Sequence, residues 1–250
     1  MNQTRTRVDA FFKGHTPTIA CFNKATVPMG VDFDALIEAM QKFIDEHVAP
    51  VWGTWAKLVK TDGYVHGCWA IVFLDHAEHA HGLAFHDLTP EGYPQSKVFV
   101  KTTLAHKQAV SVVASHELVE MLVDPCINLV TMRPRSKRVY GYEAADPVED
   151  LSFPVNGIPM TNFVYPAYFE SFHKPGTVQF DHLKEIRRPF QIHKGGYQGI
   201  YEDGVWKQVF GSHPKKQRVA KEDRRGRRHE KRSRLELKRS SRKHMPPKKK

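Results

Sequence analysis

Between Val110 and Val123 the chain reads VSVVASHELVEMLV. Val110, Val112, Val113, Ala114, Leu118, Val119, Met121, Leu122 and Val123 leave such a helix almost no solvent face. A helix that is apolar nearly all round is a buried one. Yet His116, Glu117 and Glu120 sit in the middle of it. Any fold that buries this segment must take three ionisable side chains inside, where charges are normally paired or bound to a metal.

The spacing narrows the choice. His116 and Glu120 are four residues apart, so they project from one face, one turn apart. A helix uses that spacing to offer two ligands to one metal ion. Glu117 lies beside His116, where it can take a proton from a metal-bound water. This is the logic of the HExxH zinc helix, in which the metal lowers the pKa of a water, the glutamate removes a proton and the oxygen attacks a polarised carbonyl. Here Glu120 replaces the second histidine, and a carboxylate ligand weakens the preference for zinc over harder metals such as manganese.

A catalytic zinc ion usually has three protein ligands and a water. The segment Tyr142-Glu143-Ala144-Ala145-Asp146-Pro147 offers two carboxylates for the third place, Glu143 and Asp146. Asp124, at the helix end, reads as a cap or as support behind the ligands. Tyr140 or Tyr142 could polarise an oxyanion. Cys126 lacks the glycine turn that a ligand ten residues after His116 would need. His76, His79 and His81 share no helical or strand face and read as a surface loop.

Around this helix the pattern predicts a mixed α+β domain with two long helices. Asp32 or Asp34 caps the first helix, which carries Leu36, Ile37, Met40, Phe43, Ile44 and Val48 on one stripe and stops before Pro50. The second helix is expected from Ala105 to about Val123, with Thr103 as its cap. Trp52 and Trp55 are expected in the core. Residues 68–74 form a continuous apolar run, expected as a central strand buried on both faces. Shorter strands are expected at 17–22, 54–60, 83–87, 97–101 and 138–143, and Glu91-Gly92-Tyr93-Pro94 and Asn156-Gly157 read as turns. Beyond 143 the chain is expected to wrap the body in loops, with a late hairpin of 189–193 and 197–201 joined by Gly195-Gly196.

Charge divides the 250 residues. From Lys215 to Lys250 there are 18 Lys and Arg against four acids, a net of +14, while residues 1–214 hold 20 basic and 23 acidic side chains, a net of −3. The basic segment has no aromatic residue and few apolar ones, so disorder is expected. The expected organisation is therefore an arm at 1–15, a metal-binding domain at 16–211 and a disordered basic tail at 212–250. No apolar run approaches the roughly 20 residues of a membrane-spanning helix. The N-terminal segment lacks a continuous apolar stretch of the kind a secretory leader carries. Three cysteines without a CxxC pair fit a reducing compartment. A cytoplasmic protein, not a secreted one, is the expectation.

SHELVEMLVDP followed by YEAADP resembles uncharacterised phage and bacterial proteins of the zincin-like metallopeptidase group. More distantly the chain is similar to the plant phosphate-induced, Exordium-like proteins. APVWG at 49–53, GLAFHDLTPEGYPQSKVFV at 82–100 and PFQIHKGGYQGIY at 189–201 extend the likeness over about 31–201. The resemblance implies a zincin-like fold, and the two ligands one helical turn apart in an apolar surround lead to the expectation of one zinc ion per chain. It implies His116 and Glu120 as ligands, Glu117 as base, and Glu143 or Asp146 completing the site. It also implies that the strand at 83–87 runs along the cleft with His86 near the site. A peptide or protein is the expected substrate. For a phage protein the compartment would be the host cytoplasm or the virion.

Two functions follow: a metal-dependent hydrolase, most naturally a peptidase, or a virion or nucleic-acid-associated protein whose metal is structural. The tail bears on the second. Lys215, Lys216, Arg218, Arg224, Arg225, Arg227, Arg228, Lys231 and Arg232 form a run able to release counterions from nucleic-acid phosphates. Without aromatic platforms, such binding is expected to be sequence-blind. Truncation after His213 is therefore expected to leave the melting temperature nearly unchanged and to remove most affinity for DNA or RNA. Full-chain affinity should fall linearly in log salt. Equal affinity of the truncated and full chains in a filter-binding assay would place the contact on the acidic body.

Overall fold

The computed structural model describes residues 16–76 and 82–211. The arm at 1–15, His79, His81 and the tail at 212–250 with its nine basic candidates lie outside the described residues. The chain is a mixed α+β fold, with sheets and a helical stretch of 20 residues over 33–52. Among the described residues no helix is long and apolar enough to cross a membrane.

The main sheet contains β1 (Thr18–Asn23), β2 (Lys57–Lys60), β3 (Trp69–Leu74), β4 (Ala84–Leu88) and β5 (Pro94–Phe99), in the order β2-β1-β3-β5-β4. The apolar run at 68–74 supplies β3, in the centre and parallel to both neighbours. Its alternate residues serve different clusters. Trp69, Ile71 and Phe73 join the main core, and Ala70 and Val72 pack with Phe22 on the other face. Both faces are buried, which is why the run does not alternate with polar residues. β4 forms the edge and is antiparallel to β5.

Helix α1 (Phe33–Phe43) is capped by Asp32, whose side chain accepts from the Ala35 N–H at 2.9 Å. Its buried face is Leu36, Ala39, Met40 and Phe43. Gln41 ties it to β2, donating to the Ala56 carbonyl and accepting from the Leu58 N–H. The helix does not stop before Pro50. It runs through a π-turn, Ile44–Val48, into α2 (Ala49–Trp52). The Ala49 N–H reaches back to the Ile44 carbonyl, and this wider turn admits a proline that can donate no bond. Gly53, at φ 68, then ends the helix in the left-handed region. Trp52 is half-buried and donates to the Val164 carbonyl, but Trp55 is exposed rather than in the core.

The second long helix is likewise split. α3 (Val100–Ala105) is followed by a turn with Lys107 at φ 57, and α4 (Val110–Val123) starts afresh. Thr103 caps nothing; it is buried within α3 and contacts the Leu83 carbonyl. The strand expected at 97–101 lies earlier, because residues from Val100 onward are helical.

Beyond Glu143 the chain is more ordered than a wrapping of loops. β6 (Val130–Met132) and β7 (Val139–Gly141) join β10 (Tyr197–Glu202) and β11 (Val205–Phe210) in a second sheet. β8 (Ser152–Val155) and β9 (Ile158–Thr161) form a hairpin about Asn156-Gly157. The late hairpin is β10 with β11, turned by Asp203 (φ 53) and Gly204 (φ 83); residues 189–193 are not a strand. Left-handed pairs of this kind match the twist of antiparallel strands. α4 packs between β4 and β5 on one side and β9 on the other. Ser111 donates to the Pro159 carbonyl at 2.7 Å, and the Thr161 N–H donates to Ser115 Oγ at 2.9 Å.

An aromatic cluster locks the π-turn to this second half. The His182 ring stacks on Phe163 at 5.3 Å and meets His47 and Phe153. Burial, with His47 adding, pushes the His182 pKa down to about 4, and Asp181 only partly offsets it. Between the ordinary value of 6.5 and about 4 the unfolded chain binds a proton that the folded chain refuses. The neutral ring's contribution to stability is therefore complete above pH 6.5 and lost as pH falls toward 4. His182→Gln is expected to flatten the melting temperature profile across that window. Parallel profiles for wild type and variant would contradict the assignment.

Candidate metal centre

Because α4 is enclosed on several sides, its polar residues are enclosed too. Glu117 and Glu120 are each 4% exposed, and His116 is the most open of the three, its side chain 12% exposed. His116 Nε2 lies 3.3 Å from Glu120 Oε1, as the one-turn spacing predicts. The return segment after β7 brings Asp146 Oδ1 within 3.2 Å of the same nitrogen. His116, Glu120 and Asp146 form one group able to hold a metal ion. The Asp146 oxygen is buried and makes no hydrogen bond, so its approach to His116 lacks the alignment of one.

A second group forms against the sheet edge. His86, on β4, has Nδ1 3.2 Å from Glu117 Oε2 and 3.7 Å from Glu120 Oε2. His86, Glu120 and Glu143 also gather closely enough to hold an ion. His86 is 1% exposed, and its Nε2 has no hydrogen-bond partner. A histidine expected only near the site is thus in contact with Glu117 and Glu120. The signal available in sequence was slight: a histidine flanked by alternating residues on an edge strand. Which helix that strand faces is set by sheet order.

Electrostatics agree with the geometry. Burial alone would pull the His116 imidazole down, but the carboxylates of Glu120 and Asp146 hold its pKa well above the ordinary histidine range. Burial, and then Asp146, push Glu120 well above the usual carboxylate range, with His116 in partial opposition. The carboxylate contacts within both shifts, Glu120 and Asp146 on His116 and Asp146 on Glu120, are those of a pocket that favours added positive charge. The donor set of imidazole nitrogens and carboxylate oxygens suits zinc, manganese or a similar divalent ion.

The return segment is held by backbone. The N–H groups of Ala145 and Asp146 both point at Glu120 Oε1, each at 3.3 Å. Asp146 opens a short 3₁₀ turn, Asp146–Val148. Buried Gln198 donates to the Gly141 carbonyl and accepts from the Tyr168 hydroxyl, fixing the strand that leads into Glu143. Asp124 accepts from the Asn128 and Leu129 N–H groups, so it organises the turn after α4. Tyr142 stacks on Phe169 at 4.0 Å, and Tyr140 packs on Phe190. Cys126 belongs to neither group, and His76 is exposed.

Gly195 and Gly196 press on this turn. A Cβ on Gly196 would strike the Pro147 carbonyl, and one on Gly195 would strike the Asp150 side chain. Their role is close approach, not the hairpin turn expected of them. Gly196→Ala is expected to cost about 1–3 kcal/mol in urea unfolding, as overpacking does. Gly63→Ala, with nothing near its Cβ, should stay within about 0.5 kcal/mol of wild type. Equal effects would show that the approach to Pro147 is not a tight one.

No protein-family model, curated protein or solved structure matches this chain.

Proposed function

We propose that this chain is a metal-dependent hydrolase, most naturally a zinc peptidase. His116, Glu120 and Asp146 hold the ion, and Glu117 acts as general base. One observation carries the reading: an imidazole and a carboxylate one helical turn apart meet a buried, unbonded carboxylate oxygen from a distant loop. The geometry favours Asp146 over Glu143 as the third ligand beside His116. The likeness of SHELVEMLVDP and YEAADP to zincin-like proteins supports the same assignment, as does the antiparallel edge strand β4 beside α4.

A bound zinc ion would supply Lewis acidity toward a carbonyl oxygen and acidify a coordinated water. The chain's residues do the rest. Glu117 takes the proton from the attacking water and returns it to the leaving amine. His86 holds the Glu117 carboxylate from the sheet side, fixing the direction of that transfer. The apolar surround of α4 keeps bulk water away and strengthens each electrostatic contact.

The second reading, a phage virion or nucleic-acid-associated protein with a structural ion, rests on the +14 charge of residues 215–250. Turnover separates the two. Wild type purified without chelator is expected to hold zinc. His116→Ala should lose it, and Glu117→Gln should keep it. In a peptide-library digest, Glu117→Gln should lose roughly 10²–10⁴ in rate. Bound zinc with no cleavage of any peptide would favour the structural reading. Absence of stoichiometric metal, with no response to added zinc, would defeat the hydrolase.

A further inference from the structure

The two metal-capable groups share Glu120 and no other residue: His116, Glu120 and Asp146 on one side, His86, Glu120 and Glu143 on the other. The Glu120 carboxylate is divided between them. Its Oε1 faces His116 at 3.3 Å, and its Oε2 faces His86 at 3.7 Å. A carboxylate with an imidazole before each oxygen has the geometry of a bridge between two cations. We infer that the site is built for two divalent metal ions joined by Glu120, the second held by His86 and Glu143. This rests on the metal-centre reading of the first group and goes beyond it.

Three observations support two ions rather than one with more ligands. Tetrahedral zinc holds its nitrogen and oxygen ligands about 2.0–2.2 Å away, so ligands of a single ion must crowd one point. Here the donor atoms gather as two groups, with the histidines in different ones. His86 can serve as a ligand while it holds Glu117. Its Nδ1 donates to Glu117 Oε2 at 3.2 Å, which leaves the lone pair on Nε2, a buried nitrogen with no hydrogen-bond partner. Finally, Glu117, Glu120, Glu143 and Asp146 are all at most 7% exposed. Two divalent ions carry the four positive charges that match four carboxylates, whereas one carries half of them. Carboxylate-bridged pairs, typically about 3.5–4 Å apart, clamp both the attacking and the leaving oxygen in hydrolysis.

The test is metal stoichiometry of the full chain, stripped with chelator and then titrated with manganese(II) or zinc(II), read by calorimetry and elemental analysis. Two ions per chain are expected for wild type, and one for His86→Ala and for Glu143→Gln. Glu143→Gln is nearly isosteric and serves should His86→Ala fail to fold. With manganese, the two-ion form should give an electron paramagnetic resonance spectrum broadened by exchange through the bridge, and either variant the six-line spectrum of an isolated ion. Saturation of wild type at one ion would overturn the two-ion inference and leave the single-ion site standing. Binding of none would overturn both. Two ions without exchange coupling would remove Glu120 as the bridge.

Discussion

The Glu120 carboxylate inside the protein is the constraint on which the site depends. Removing a charged group from water costs several kcal/mol unless it is paired or bonded. Glu120 answers with every neighbour within reach: His116 on its own helix, His86 on the sheet edge, and the Ala145 and Asp146 N–H groups of the return segment. Each partner belongs to a different part of the chain. One side chain thereby ties α4, β4 and the segment after β7 together.

The two halves of the fold meet on that helix. The mixed sheet supplies the floor, with β3 buried on both faces and the antiparallel edge strand β4 presenting His86. The second half supplies the roof and the carboxylate of Asp146 beside His116. Hairpin β8–β9 is bonded to α4 through Ser111 and Ser115, and the sheet of β6, β7, β10 and β11 delivers Glu143 and Asp146. The close approach of Gly196 to Pro147 and the Tyr168–Gln198–Gly141 bonds set how far that delivery reaches. A site on rigid elements, supported from behind, is held more closely than one on loops.

Much of this was legible in the residues. The run at 68–74 has the length and apolar continuity of a strand covered on both faces, and the period of 3.6 alone places His116 and Glu120 together. Asp146 and Glu143 are visible in the sequence as a pair of candidates, but which of them approaches His116 is not, because it depends on where the 3₁₀ turn begins. Pro50 misled because a local rule met a π-turn, which the sequence does not announce. The hairpins at Asn156-Gly157 and Asp203-Gly204 carry a signal in their turn residues, but in the second the nearby Gly195-Gly196 pair offers a competing turn signal. His86 reaches Glu117 only through the order β3-β5-β4, a long-range fact that no local pattern encodes.

The central claim is that a metal is held in this cluster by nitrogen and oxygen donors from α4 and the segment after it. X-ray absorption at the zinc edge of the zinc-loaded chain reads that donor set directly. The account predicts a first shell of nitrogen and oxygen only, at about 2.0–2.2 Å, with the outer-ring scattering of imidazole. A sulfur scatterer at about 2.3 Å would move the ion to Cys68 or Cys126 and contradict it.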